Sequence, residues 1–146
     1  MNRMPLKIIG VAALVMSGMT LFGGLEPAVA NDAAEKIFIP ATVDGIWKAI
    51  DAKTTELKAT IDSGKLENVH HDAFAIRDLV AALPSRSAML AAEKLGKVKT
   101  SAKFVATLAE RLDATGDAKN IAETKENYTK LTGVLTMIRA NYSSSP

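Results

Sequence analysis

Four stretches of this chain repeat their apolar residues at alternating steps of three and four. Val43, Trp47, Ile50, Thr54, Leu57 and Ile61 form the first, with a single polar member. Leu66, Val69, Ala73, Ile76, Val80 and Leu83 form the second. The third is Ala91, Leu95, Val98, Ala102, Val105, Ala109 and Leu112, widened by Phe104 and Leu108. Ile121, Thr124, Tyr128, Leu131, Leu135, Ile138 and Tyr142 form the fourth. This rhythm lays one apolar seam along an α-helix and leaves the other positions to solvent. A strand would alternate at every second residue, so the pattern speaks against a sheet. An aromatic content of only 5% points the same way, because sheets favour aromatic and β-branched side chains.

The breaks between the runs set the topology. Thr42 is a good N-cap for the first helix, and Ser63-Gly64 closes it, since glycine tolerates the left-handed C-cap conformation. Pro84 stops the second helix, and Ser87 caps the third. Thr115-Gly116 ends the third, with Asp117 as turn residue and N-cap of the fourth. Helices of roughly 20 to 28 residues are about 30 to 40 Å long. Loops this short force neighbours to run antiparallel. The expected fold is all-α, an antiparallel up-down-up-down four-helix bundle over residues 42–142. A long two-helix coiled coil is the alternative, and the breaks at Gly64, Pro84 and Gly116 count against it.

The segment before the bundle reads as an export signal. Arg3 and Lys7 make a basic start, and Ile8 to Phe22 an uncharged, mostly apolar run of 15 residues. Ala28-Val29-Ala30 supplies a small-x-small cleavage site. Residues 1–30 are therefore expected to be a cleaved signal peptide, which places the mature chain in the periplasm. The apolar run falls short of the about 20 residues a membrane span needs, so no stable membrane insertion is expected. Residues 31–41 form an extended N-terminal arm, which Ile37-Phe38-Ile39 would dock on the bundle, and residues 143–146 form a loose tail. Setting aside Arg3, Lys7 and Glu26 leaves 16 basic and 15 acidic side chains, a balance that gives no reason to expect nucleic acid. The absence of cysteine excludes disulfides, thiolate metal sites and c-type haem attachment.

Catalytic signatures do not occur. The chain has no Gly-x-Ser-x-Gly elbow and no phosphate-cradling glycine loop, and its two histidines sit in no Ser/His/Asp context. A non-enzymatic protein is expected.

The conspicuous group is Glu67-Asn68-Val69-His70-His71. With Val69 on the seam, His70 lies on its flank and His71 points away from it, because helix neighbours are 100° apart. Glu67 stands three residues from His70 and four from His71, within reach of either. Imidazole nitrogen with carboxylate oxygen suits Cu, Zn or Ni ions, so Glu67, His70 and His71 are the candidate metal ligands, with Asp72 as a further oxygen donor. A pair of ordinary helix-surface histidines is the alternative. Glu67-x-x-His70 matches half of a di-metal bundle motif, but no second Glu-x-x-His follows. The turn between helices 3 and 4 belongs at the same end, where Glu110, Asp113, Asp117 and Glu123 could add acidic groups. Trp47, Arg139 and Tyr142 mark the opposite end, with Trp47 and Tyr142 stacked or edge-on, as an aromatic plug or as the wall of a ligand pocket. His70, Phe74, Arg77 and Ala81 form a second stripe on helix 2, which would cover the arm, or dock an envelope partner or a second copy.

The run IWKAIDAKTTELKATIDSGKLENVHHDAFAIRDLVAALP, the proline-containing loop and a last helix ending IRANY resemble the soluble cytochrome b562 family. The resemblance implies an exported four-helix bundle that holds haem between a methionine near the start of helix 1 and a histidine near the end of helix 4. Gly45, Ile46 and Trp47 stand near the first position, and Arg139, Ala140, Asn141 and Tyr142 near the second. None is a usual haem ligand, so haem is not expected as cofactor unless its ligation is unorthodox. The stretch VHHDAFAIRDLVAALP is also similar to small exported proteins associated with heavy-metal efflux systems. The expectation for function is a periplasmic accessory or binding protein linked to metal stress, with weak divalent-metal binding at the start of helix 2. A haem electron carrier and a structural partner-binding module are the alternatives.

Overall fold

The computed structural model describes residues 37–143, and all regular structure within them is helical. The expected signal peptide, the start of the arm and the last three residues of the tail lie outside the described residues. The helices are α1 (Val43–Asp62), α2 (Val69–Arg86), α3 (Ala92–Asp117) and α4 (Ile121–Ser143), with one 3-10 turn, Leu66–Asn68, leading into α2. They pack in sequence-adjacent pairs, α1 on α2, α2 on α3 and α3 on α4, as an up-down bundle does. α1 and α4 meet over a much shorter stretch. No described helix is long and apolar enough to cross a membrane.

The core is built from the expected seams, broadened. All six seam residues of the second run are buried, and so are Trp47, Ile50, Leu57 and Ile61 of α1 and Leu131, Leu135 and Ile138 of α4. Ile46, Ala75 and Leu79 are buried as well, although they stand off the three-four rhythm. The seams of α1 and α2 thus acquire a second row, as in helices that face more than one neighbour. Phe104 departs in the other direction: it widens the seam of α3 on paper and is 58% exposed in the fold. Of Ile37-Phe38-Ile39, only Ile37 packs against the core, while Phe38 and Ile39 are exposed.

The caps are partly those expected. Thr42 Oγ1 accepts from Gly45 N at 3.1 Å and starts α1. Gly64, at φ +74°, closes it: Gly64 N bonds Ile61 O and Lys65 N bonds Thr60 O, the paired bonds of a Schellman motif. The same pair recurs after α3, where Lys119 N bonds Gly116 O and Asn120 N bonds Thr115 O. Here the left-handed residue is Lys119, at φ 53°, so α3 runs on through Gly116 to Asp117. Asp117 does not cap α4. Asn120 does, its Oδ1 accepting from Glu123 N at 3.2 Å. Nor does Pro84 stop α2, which continues to Arg86. Proline removes one N–H, and in the last turn of a helix that loss ends the ladder soon after rather than at once. Ser87 does not cap α3. It is buried and its Oγ donates to Leu83 O at 2.6 Å.

Gly116 explains how the start of α2 is held. It is buried, and a Cβ built on it would lie 2.6 Å from Leu66 O. The last turn of α3 therefore receives the 3-10 turn backbone-to-backbone, which no larger residue permits.

Candidate functional site

The two ends of the bundle carry the groups singled out by the sequence, and the fold treats them differently. At the start of α2, Glu67 is exposed in the 3-10 turn, His70 is half-buried and His71 exposed. Their rings lie closer than the 100° step suggests, with centroids 3.9 Å apart and planes tilted by 42°. Asp72 does not join them. It is 8% exposed, and its Oδ1 accepts from Lys53 Nζ of α1 at 3.1 Å. Lys53 also donates to Glu56 at 2.6 Å. Burial pushes the Asp72 carboxyl above the usual carboxylate range, and the Lys53 ammonium opposes that shift without cancelling it. Among the described residues no three His, Asp or Glu side chains converge on one point, so the acidic groups around the α3–α4 turn do not complete a cage with the histidines.

On α2, Phe74 is half-buried against the core, with the Arg77 guanidinium 4.6 Å above its ring. Arg77 Nε also donates to Asp78 at 2.7 Å. The apolar stripe expected here is thus roofed by a charge.

The opposite end holds a cleft of about 380 Å³ between α1 and α4, where those helices part. Trp47, Ile50, Asp51 and Thr54 wall it from α1, and Thr132, Leu135, Thr136 and Arg139 from α4. The volume lies in the lower part of the range for small-molecule sites. Trp47 is fixed on two sides. Tyr142 packs edge-on to it, with centroids 5.8 Å apart and planes at 77°. The Arg139 guanidinium lies 4.4 Å from its ring centre, within cation–π range. Tyr142 is in turn anchored by Ser87. The only proton on Ser87 Oγ goes to Leu83 O, so the Tyr142 hydroxyl donates to Oγ, at 2.7 Å. This bond ties the end of α4 to the α2–α3 loop. Burial pushes the Tyr142 phenol above its ordinary range, which keeps it a neutral donor.

Two further features concern the residues around the cleft. Trp47 Nε1 is buried and has no hydrogen-bond partner among the described residues. A buried donor left unpaired costs about 1–3 kcal/mol. Arg139 Nη2 donates to Asp51 Oδ1 at 2.5 Å, a bond across the mouth of the cleft between residues 88 positions apart. The edge-on aromatic pair follows the sequence expectation, but this ion pair was not anticipated. The only available signal was an arginine near the end of the last helix and an aspartate one turn beyond the tryptophan of the first.

Comparison with protein-family profiles, with curated proteins and with solved structures finds no match to this chain. The class that stands is an all-α four-helix bundle.

Proposed function

We propose that this chain is a non-enzymatic, exported binding protein of the cell envelope, and that the α1–α4 cleft is its ligand seat. The observation that carries this is a cavity of ligand size walled by Trp47, Ile50 and Leu135, with the Arg139 guanidinium held beside it. The periplasmic location rests on the signal-like residues 1–30. The cytochrome b562 resemblance would put haem between the same two helix ends. The walls named above carry no histidine, methionine or cysteine, which supports a haem-free role.

Trp47 is the only tryptophan, so it reports on the cleft directly. Titration with the uncharged dye phenylnaphthylamine is expected to quench its emission saturably and to sensitise dye emission by energy transfer. Thr136→Phe fills the cleft from an exposed helix position and is expected to weaken dye binding about tenfold while leaving the melting curve in place. Unsaturable quenching, or identical titrations for the wild type and Thr136→Phe, would overturn the assignment.

The close ring pair favours a second role, weak divalent-metal binding by the His70 and His71 imidazoles without Glu67 as a converging third ligand, in keeping with the likeness to proteins of heavy-metal efflux systems. Calorimetry with Cu(II), Zn(II) or Ni(II) is expected to show weak, saturable binding through imidazole nitrogen. Equal heats from a His70→Ala/His71→Ala double variant would remove this site.

A further inference from the structure

The geometry points to a planar aromatic anion, an aromatic carboxylate or sulfonate, as the ligand class of the α1–α4 cleft, with Arg139 as its receptor and Asp51 as the group it displaces. This rests on the cleft being the ligand seat, as proposed above. The choice of an anion follows from how the charges are held. Arg139 is positioned twice, over the Trp47 ring and by Asp51. A guanidinium has five N–H donors in a fixed fork, and the bond to Asp51 is made through Nη2 to one carboxylate oxygen. An incoming carboxylate or sulfonate can instead engage the fork through two parallel bonds.

The resident pair is easily exchanged. Both side chains are about half exposed, 45% for Arg139 and 59% for Asp51, and ion pairs this open to water are weak. A cationic ligand fares worse on two counts. The face of Trp47, the natural seat of a cation, is already taken by Arg139, and the same guanidinium repels it.

The remaining polar walls do not compete for the anion. Thr54, Thr132 and Thr136 each donate their hydroxyl hydrogen to a carbonyl of their own helix, those of Ile50, Thr129 and Thr132. They present lone pairs, which suit N–H or O–H groups on a ligand's rim and offer nothing to a carboxylate. The aromatic part follows from the apolar walls, Trp47, Ile50 and Leu135.

The test compares two dyes that differ by one charge, anilinonaphthalenesulfonate and phenylnaphthylamine, on the purified chain, read by energy transfer from Trp47. Asp51→Asn removes the competing carboxylate and a negative charge beside the incoming one. It is expected to tighten sulfonate binding about threefold to fivefold. Arg139→Gln is expected to weaken it about tenfold or more. Both residues wall the cleft, so the uncharged dye, titrated against the same variants, measures how far each substitution disturbs the seat itself, and the charge effect is the change in sulfonate affinity beyond it. A merely structural ion pair would make both variants bind the sulfonate less well, so weaker binding by Asp51→Asn overturns the inference. So does a sulfonate affinity that neither variant moves, or one that moves in step with the uncharged dye. If the uncharged dye still binds in a Thr136→Phe-sensitive way in those cases, the cleft survives and only the anion assignment falls. If neither dye binds saturably, the cleft itself is lost as a ligand seat.

Discussion

Replacing Gly116 by alanine is expected to destabilise the bundle by about 2–3 kcal/mol, although alanine is the better helix former by about 1 kcal/mol. Gly116 lies in the last turn of α3, not at its left-handed cap, so helix propensity favours alanine there. The added methyl, however, would lie 2.6 Å from the carbonyl oxygen of Leu66 and 3.4 Å from Val69 Cβ. The first of these is backbone and cannot swing aside as a side-chain tip would. Relief requires the 3-10 turn and α3 to separate, which loosens Leu66 and Val69, both buried. Gly96, in the same helix, has nothing within 4 Å of the equivalent position. Gly96→Ala should therefore raise stability by about 0.5–1 kcal/mol. Urea unfolding of the two variants, read as a shift of midpoint at constant slope, checks the pair. Two changes of like sign would show that α3 does not approach Leu66 this closely.

Much of this architecture was legible because it follows from periodicity. The three-four steps mark which face of each helix is apolar, and the second run was right at every position from Leu66 to Leu83. The same steps imply a narrow seam, however, and a helix touching two neighbours buries more than one row. Ile46 and Leu79 lie outside the rhythm for that reason, while Phe104, one place off the seam of α3, stays mostly exposed. The turn after α3 was misread because glycine serves two purposes. Thr115-Gly116 looks like a C-cap, yet Gly116 is required for a close approach and Lys119 takes the left-handed turn. The candidate site was legible only in its aromatic half. Trp47 and Tyr142 fall on two seams at one end, so their contact could be expected. The Asp51–Arg139 bond joins exposed residues on the first and last helices, and no local pattern marks such a pair. Likewise, Asp72 reads as a carboxylate beside two histidines, and its engagement by Lys53 depends on how α1 and α2 are rotated against each other.

The width of the buried row on α1 gives the second large effect. Ile46→Ala is expected to lower stability by about 2–4 kcal/mol, and Phe104→Ala by no more than about 0.5 kcal/mol. Ile46 is fully buried next to Trp47, in a part of α1 that also borders the arm through Pro40 and Gly45. Truncating it removes three carbons from a packed interior, and α1 cannot close the gap freely, because Thr42 caps its first turn and Arg139 ties it to α4. Phe104 is the larger side chain, and composition alone would rank its loss as the costlier. In the fold most of its ring already faces water, so little burial is forfeited. The pattern read from the sequence, with Phe104 widening the third run and Ile46 left off the first, predicts the reverse order. Paired thermal or urea denaturation of the two variants decides between the arrangements. An Ile46→Ala protein as stable as the wild type would mean that α1 is rotated about its axis. Trp47 would then no longer wall the α1–α4 cleft from the position on which its proposed role depends.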